Sequence, residues 1–173
     1  MISEQAKQRM RDLAARYPVA RSAVMPALYI AQQEEGYITQ SALEAVAEAI
    51  GMTVDDVESV ATFYTMYYQQ PPGKKVIKVC TSISCYLRNC DSLVNHLEQR
   101  LGIKRGETTA DGTYTLMTAE CLASCGTAPV IQVNDEFVEN VTPAMTDALI
   151  DKWERELQAK KNEMPTPATP GYP

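Results

Sequence analysis

Two pairs of cysteines have the residue type and spacing that could bind a metal. Cys80 and Cys85 lie in VCTSISCY with four residues between them, and Cys121 and Cys125 lie in ECLASCG with three. Each pair follows a run of residues that predicts a short β-strand. Two neighbouring strands would bring the four thiols to one end of a sheet. Such an arrangement suits a site with four thiolate ligands.

The spacing alone leaves several kinds of site open. Structural zinc uses all-cysteine sites with short spacings inside each pair. A redox disulfide is less favoured because neither pair has the C-x-x-C spacing. Buried cysteines that serve only as small apolar residues would not explain the pairing. A [2Fe-2S] cluster also takes four cysteine thiolates, although these spacings differ from the plant-type ferredoxin pattern.

The residues around the cysteines could stabilise negative charge on the sulfurs. We predict a helix that begins at Cys85, where free backbone N–H groups and the helix dipole favour a thiolate. Gly126 would leave room for close backbone approach. We expect the fifth cysteine, Cys90, to lie on the apolar face of the same helix, in the core and away from the other thiols. Hydroxyl groups that could donate hydrogen bonds to the sulfurs belong to Thr81, Ser82, Ser84 and Ser124.

Composition and charge limit the function classes. The chain has 173 residues, of which 45% are apolar, enough for a hydrophobic core. Its 16 basic and 22 acidic residues give a net charge of −6 without a basic block, so nucleic-acid binding is disfavoured. We expect no direct membrane insertion, since no apolar run approaches the roughly 20 residues that span a bilayer, and the N-terminus lacks the apolar centre of a signal peptide. We therefore expect a soluble intracellular protein, and in that reducing compartment cysteines are more often ligands than disulfides.

The periodicity of the apolar residues changes near residue 70 and predicts an α/β fold in two parts. The first part reads as four helices: one with apolar positions from Ile2 to Tyr17, one over residues 22–35, one capped by Thr39 or Ser41, and one opened by Thr53.

The second part reads as a small thioredoxin-like layer. Its predicted order is a strand ending at Cys80, a helix from Cys85 to Leu101, a strand before Cys121, a hairpin turning at Asn134 and Asp135, and a helix capped by Thr142 with Met145, Leu149, Trp153 and Leu157 on one face. We expect a helical bundle over residues 1–70, a cluster domain over 71–161 and a flexible Pro-rich tail over 162–173.

Several stretches, in order along residues 1–157, resemble one family. They are QQEEGYI, VESVATFYTMY, VCTSISCYL, GETTADGTYTL and AECLASCGTAPVIQVND. The chain is similar to the small [2Fe-2S] subunits, known as the E subunits, of bacterial NADH:quinone oxidoreductase (complex I). The resemblance implies an N-terminal helical bundle followed by a thioredoxin-like ferredoxin domain. It also implies that Cys80, Cys85, Cys121 and Cys125 ligate one [2Fe-2S] cluster.

The same resemblance implies a function in electron transfer. The family's cluster exchanges one electron with FMN on a partner flavoprotein subunit that also binds NADH, beside other peripheral-arm subunits. This implies a cytoplasmic location, peripheral to the inner membrane, in a membrane-bound complex. The equivalent diaphorase subunit of an NAD-linked hydrogenase or formate dehydrogenase shares these motifs and is the alternative. We find no G-x-G-x-x-G after a strand, so we expect an oxidoreductase subunit without a complete active site of its own.

One position departs from the family pattern. Many relatives carry a glycine near the position of Asn89, whereas this chain reads CYLRNCD. All four cysteines of the motif are nevertheless present. We therefore expect altered local packing next to the cluster and an unchanged ligand set.

Overall fold

The computed structural model describes residues 1–163 and divides the chain into two units. The first unit comprises Met1–Pro72, and the second begins at Gly73. Most of the segment predicted as a Pro-rich tail, residues 164–173, lies outside the described residues. None of the helices within residues 1–163 is both long and apolar enough to cross a membrane.

Helices build the whole of the first unit. They are α1 (Glu4–Ala14), α2 (Val24–Glu35), α3 (Gln40–Ile50) and α4 (Val54–Phe63), with a 3-10 turn at Ala20–Ala23. The predicted caps are present: Thr39 accepts the Ala42 N–H, and Thr53 accepts the Asp56 N–H. Helix α1 is shorter than predicted, because it ends at Ala14 and leaves Tyr17 40% exposed. Many buried alanines allow these helices to pack closely around Met10, Leu28, Val46 and Val57.

A four-stranded sheet forms the second unit, in the spatial order β2-β1-β3-β4. Strand β1 (Lys75–Cys80) is parallel to β2 (Tyr114–Ala119) and antiparallel to β3 (Ile131–Val133). Strand β4 (Glu136–Val138) forms the predicted hairpin with β3. The crossover from β1 to β2 carries α5 (Ile83–Leu87) and α6 (Cys90–Leu101), and α7 (Pro143–Glu163) follows the hairpin.

The core of the second unit lies between this sheet and the helices α6 and α7. Its largest fully buried side chains include Ile77, Val79, Leu97, Leu116, Ile131 and Ile150. The face that α7 buries matches the prediction in part. Trp153 is buried and Leu149 packs against the core as expected, but Met145 is 39% exposed and the stripe also includes the buried Thr146 and Ile150. Thr146 tolerates burial because its hydroxyl donates to the Pro143 carbonyl at 2.7 Å.

The single helix predicted from Cys85 to Leu101 is two helices. Asn89 adopts a left-handed conformation (φ 65°, ψ 42°) and separates α5 from α6. Cys85 therefore lies within the five-residue helix α5, rather than at the start of a long helix. The apolar periodicity that predicted one helix belongs to α6 alone, which ends at Gly102 as expected.

Gly73 marks the entry into β1 by a close backbone approach. Its N–H donates to the Thr115 hydroxyl at 2.6 Å, a buried hydrogen bond. A Cβ at this position would lie 2.7 Å from the backbone carbonyl carbon of Tyr114. The first residue of the second unit must therefore be a glycine for β1 and β2 to pair in this register.

Candidate metal centre

The parallel strands place both cysteine pairs at one edge of the sheet. Cys80 is the last residue of β1 and lies opposite Ala119, the last residue of β2. The Thr81 N–H continues the pairing with the Ala119 carbonyl at 2.9 Å. Cys121 follows two residues later. Because parallel strands end at the same edge, the loops that carry the two pairs start side by side, as predicted.

The first pair is buried and in contact. Cys80 is 3% exposed and Cys85 is 2% exposed, and their thiols are hydrogen-bonding partners. The Val130 N–H also hydrogen-bonds the Cys85 sulfur. Burial, followed by the hydrogen bond with Cys80, raises the pKa of Cys85 to about 11. The long helix predicted to begin at Cys85 is absent, so its dipole does not act on this thiol, and burial opposes charge on the free thiol.

The second pair is exposed and lies in the loop after β2. The Ala123 N–H donates to the Cys121 sulfur at 3.3 Å, and Ala123 adopts a left-handed conformation with φ 59°. Cys125 begins the 3-10 turn Cys125–Thr127. This turn packs against α5, the helix of Cys85. The backbone therefore brings the segments of Cys85 and Cys125 together.

The side chains do not converge on a single point. Within residues 1–163, no three His, Cys, Asp or Glu side chains are grouped so that they could hold a metal ion. Cys80 and Cys85 are hydrogen-bonded to one another. All five cysteines are free thiols. The donor set fits an iron–sulfur cluster because four free thiols lie on adjoining segments and thiolates are the ligands that such clusters require.

Two of the four hydroxyl groups predicted to donate to the sulfurs have other partners. The Thr81 hydroxyl donates to the Ala119 carbonyl at 3.2 Å, and the Ser124 hydroxyl donates to Glu139 at 2.5 Å. Backbone N–H groups of Ala123 and Val130 reach the sulfurs instead. The sequence contains no signal for these donors, because the direction of an N–H group depends on the fold. The space around Gly126 is open, so nothing in the described structure uses the room that its missing side chain leaves.

Cys90 is completely buried, as expected, and packs with Leu93, Val94 and Leu97. Burial, followed by the negative charge of Asp91, raises the pKa of Cys90. The break at Asn89 removes the continuous helical rise from which the separation of Cys90 from Cys85 was predicted, so that separation stays a prediction.

The conformation of Asn89 is one that suits the glycine expected at this position from the family resemblance. Its φ of 65° is left-handed, a region that glycine enters without steric cost. Asparagine is among the few other residues that tolerate this region. The departure from the family pattern therefore preserves the break between α5 and α6.

Known proteins resemble this chain over most of its length. It is 44% identical over 147 residues to the second E subunit of the NADH-quinone oxidoreductase of Rhizobium meliloti, covering 85% of this chain and 88% of that protein. It is 42% identical over 159 residues to "NADH-quinone oxidoreductase subunit 2" of Thermus thermophilus, covering 90% of this chain and 88% of that protein. With the E subunit of the same enzyme from Mycobacterium bovis, it is 38% identical over 92% of this chain and spans 62% of that protein.

A solved structure shares the fold. It is an NAD+-reducing [NiFe]-hydrogenase in the air-oxidised state, with a TM-score of 0.65 and 24% identity over 80% of this chain. This chain covers only 24% of that hydrogenase chain. The likeness confirms the fold and nothing further.

A family match agrees with the resemblance noted in the sequence. Residues 10–154 match the family described as "Thioredoxin-like [2Fe-2S] ferredoxin". This match includes all four cysteines of the two pairs. Because it extends over far more than half of the chain, the protein belongs to the thioredoxin-like [2Fe-2S] ferredoxin family.

Proposed function

We propose that this chain binds one [2Fe-2S] cluster through Cys80, Cys85, Cys121 and Cys125 and serves as a one-electron-transfer subunit of an NADH:quinone oxidoreductase. The observation that carries the proposal is the register of β1 and β2, which starts both cysteine loops at one sheet edge. The names of the similar proteins from Rhizobium meliloti and Thermus thermophilus support the assignment to this enzyme. When bound, such a cluster accepts and returns single electrons.

The two pairs have different tasks in this proposal. Cys80 and Cys85 are buried, so they exclude water from one side of the centre. Cys121 and Cys125 are exposed, so they form the side that a partner protein can approach. The N–H groups of Ala123 and Val130 donate to sulfurs and lower the cost of concentrating negative charge there.

The partner in this proposal is the flavoprotein subunit that binds FMN and NADH, together with other peripheral-arm subunits. The complex would be cytoplasmic and peripheral to the inner membrane. We further propose that residues 1–70 act as a docking domain and residues 71–161 as the cluster domain. The division of the structure into a unit that ends at Pro72 and a unit that begins at Gly73 is compatible with this proposal.

Exposed apolar side chains on the helical unit support docking by the bundle. Phe63 is 77% exposed, and Tyr29, Tyr64 and Met66 are between 39% and 42% exposed. Their neighbour Tyr67 is buried instead, and its hydroxyl donates to the Met25 carbonyl at 2.8 Å. The aromatic group at the end of α4 thus combines packing with a surface for a partner.

The sequence motifs also fit one other candidate, the equivalent diaphorase subunit of an NAD-linked hydrogenase or formate dehydrogenase. Both functions use the same cluster and differ in the partner chains. Affinity purification of the tagged chain from its native cells separates them. Recovery of quinone-reducing NADH dehydrogenase subunits supports the first function, and recovery of a [NiFe] subunit supports the second.

The test of the cluster itself uses the purified full-length chain. We expect two irons and two acid-labile sulfides per chain, and an EPR signal at low temperature after reduction by dithionite. The flavin-free chain should not transfer electrons from NADH to ferricyanide. A colourless protein with one zinc per chain would overturn the proposal in favour of a structural zinc site.

The ligand assignment has its own test. Single replacements of Cys80, Cys121 or Cys125 by alanine should prevent stable assembly, because a three-thiolate site leaves one iron open to water. Wild-type iron and sulfide content in any of these variants would remove that cysteine from the ligand set.

A further inference from the structure

One carboxylate joins the two residues that flank the turn of Cys125. Glu139 follows directly after β4, and its Oε1 atom accepts hydrogen bonds from the Ser124 hydroxyl at 2.5 Å and the Thr127 hydroxyl at 2.8 Å. Ser124 precedes Cys125 and Thr127 ends its 3-10 turn. The turn also has its own hydrogen bond from the Thr127 N–H to the Ser124 carbonyl at 3.2 Å, and the two hydroxyls lie 2.8 Å apart. The Glu139 oxygen adds a tie from a separate element to both ends of the turn that carries one of the exposed cysteines.

The backbone holds Glu139 in place for this contact. The Asn140 N–H donates to the Thr127 carbonyl at 2.8 Å, and the Val141 N–H donates to the Pro129 carbonyl at 2.9 Å. The segment after β4 thus runs alongside the cysteine turn, so the Glu139 side chain starts within reach of both hydroxyls. The hydrogen bonds from Ser124, then Thr127, lower the pKa of Glu139, so its carboxylate is charged at neutral pH.

We propose that Glu139 is a positioning residue for the cluster site: it holds the Ser124–Thr127 turn so that Cys125 is presented as a ligand, and it places one negative charge beside that ligand. This inference rests on the proposed function. Neither Glu139 nor its bonds belong to the cysteine motif, and sequence spacing does not point to them. Ser124 is thereby a structural donor rather than a donor to sulfur.

The two parts of this role have different consequences. The anchoring depends on an acceptor atom at Oε1, which the neutral amide of glutamine also provides. The charge depends on ionisation and opposes the addition of an electron to an already anionic centre, so Glu139 lowers its reduction potential. Because Glu139 is exposed, this effect of its charge weakens as salt is added.

Three variants of the full-length chain separate anchoring from charge. Glu139→Ala removes both the acceptor and the charge, whereas Glu139→Gln removes only the charge. Glu136→Gln is the matched control, since Glu136 lies at the turn end of the same hairpin and is exposed. Within the described residues, Glu136 has no side-chain hydrogen bond or ion pair.

Anchoring is measured first without the cluster. Amide hydrogen exchange of Asn140, whose N–H binds the Thr127 carbonyl, should be at least about tenfold faster in Glu139→Ala than in wild type. Glu139→Gln and Glu136→Gln should remain within about twofold of wild type. Wild-type exchange in Glu139→Ala would overturn the anchoring role, whether or not the chain binds a cluster.

The cluster-bearing chain tests how Glu139 affects the stability and the reduction potential of the cluster. Iron release to a chelator should be several-fold faster in Glu139→Ala and unchanged in Glu139→Gln. An EPR-monitored titration should give Glu139→Gln a more positive midpoint potential than wild type, with a difference that shrinks between low and high salt. An unchanged potential at low salt, or an equal shift in Glu136→Gln, would overturn the charge role. A wild-type chain that binds no iron would instead refute the proposed function, and the exchange experiment would still decide the anchoring.

Discussion

Replacement of Cys90 by alanine tests how the core and the metal centre are divided. Cys90 is 0% exposed and lies at the first position of α6 among Leu93, Val94 and Leu97. The substitution removes one sulfur atom, a group close in size to a methylene. Its transfer free energy is about 0.8 kcal/mol, and the small cavity left behind raises the total cost to about 1–2 kcal/mol.

The assay uses the only tryptophan of the chain, which reports on the second unit. Trp153 is 8% exposed and lies 6.2 Å from the Tyr114 ring centroid, so its fluorescence follows the unfolding of this core. With a urea dependence of roughly 1–3 kcal/mol/M, the midpoint should fall by about 0.3–2 M. Cys90→Ser should destabilise more than alanine, because a buried hydroxyl without a partner costs about 1–3 kcal/mol.

The same variants decide whether Cys90 is a ligand. We expect Cys90→Ala to retain the full iron and sulfide content and the EPR signal, whereas Cys85→Ala loses them. The comparison is informative because both cysteines are buried, and the environment of Cys90 includes Cys80. If Cys90→Ala loses its iron while Cys85→Ala keeps it, Cys90 is the ligand and the reasoning is refuted.

Four further predictions follow from single features of the structure. Gly73→Ala should destabilise the second unit by about 1–3 kcal/mol in urea unfolding monitored by Trp153 fluorescence, because the alanine Cβ would lie 2.7 Å from the Tyr114 backbone. A wild-type unfolding midpoint would contradict this contact. In the same assay, Asn89→Ala should lower the free energy of unfolding by about 1 kcal/mol and Asn89→Gly by much less, since an alanine is strained at φ 65° and a glycine is not. Equal unfolding midpoints for the two variants would argue against the left-handed conformation. Hydrogen bonds from Thr109 and Thr113 lower the pKa of Asp111 from 3.8 to about 2, so the stabilisation by its carboxylate is present above pH 4 and is lost as the pH falls towards 2. Asp111→Asn should therefore be less stable than wild type at neutral pH. A stability difference that persists below pH 2 would show that the Asp111 charge is not its cause. A chain without residues 1–70 should keep its cluster and no longer co-purify with the flavoprotein, whereas undiminished recovery would move the interface to the cluster domain.

Local sequence signals predicted most of the elements correctly. Thr39, Thr53 and Thr142 cap helices as expected, since a cap depends on a side chain and an N–H group three residues away. The hairpin turns at Asn134 and Asp135, as the turn residues indicate. These features were predictable because the interacting groups are neighbours along the chain.

The errors occur where a local pattern has two solutions. The apolar spacing between Cys85 and Leu101 is compatible with one helix or with two. The left-handed conformation of Asn89 divides this segment into two helices. On α7, Trp153 is buried as predicted, but packing of Ile150 in the core rotates the buried face so that Met145 is exposed. Helical periodicity indicates that a face is buried but leaves its exact position to the partner surface.

The sequence by itself determined the donor chemistry of this protein, because residue type and spacing decide which ligands the chain carries. Two cysteine pairs after two strands were sufficient to predict a centre at a sheet edge, and the parallel register of β1 and β2 places both loops there. Only the tertiary structure decided the environment of each thiol. Burial raises the pKa of Cys85, Ala123 and Val130 supply the N–H donors, and Glu139 hydrogen-bonds both residues that flank the turn of Cys125. These contacts join residues on separate elements of the fold, and solvent exclusion and hydrogen-bond direction arise only when those elements pack together.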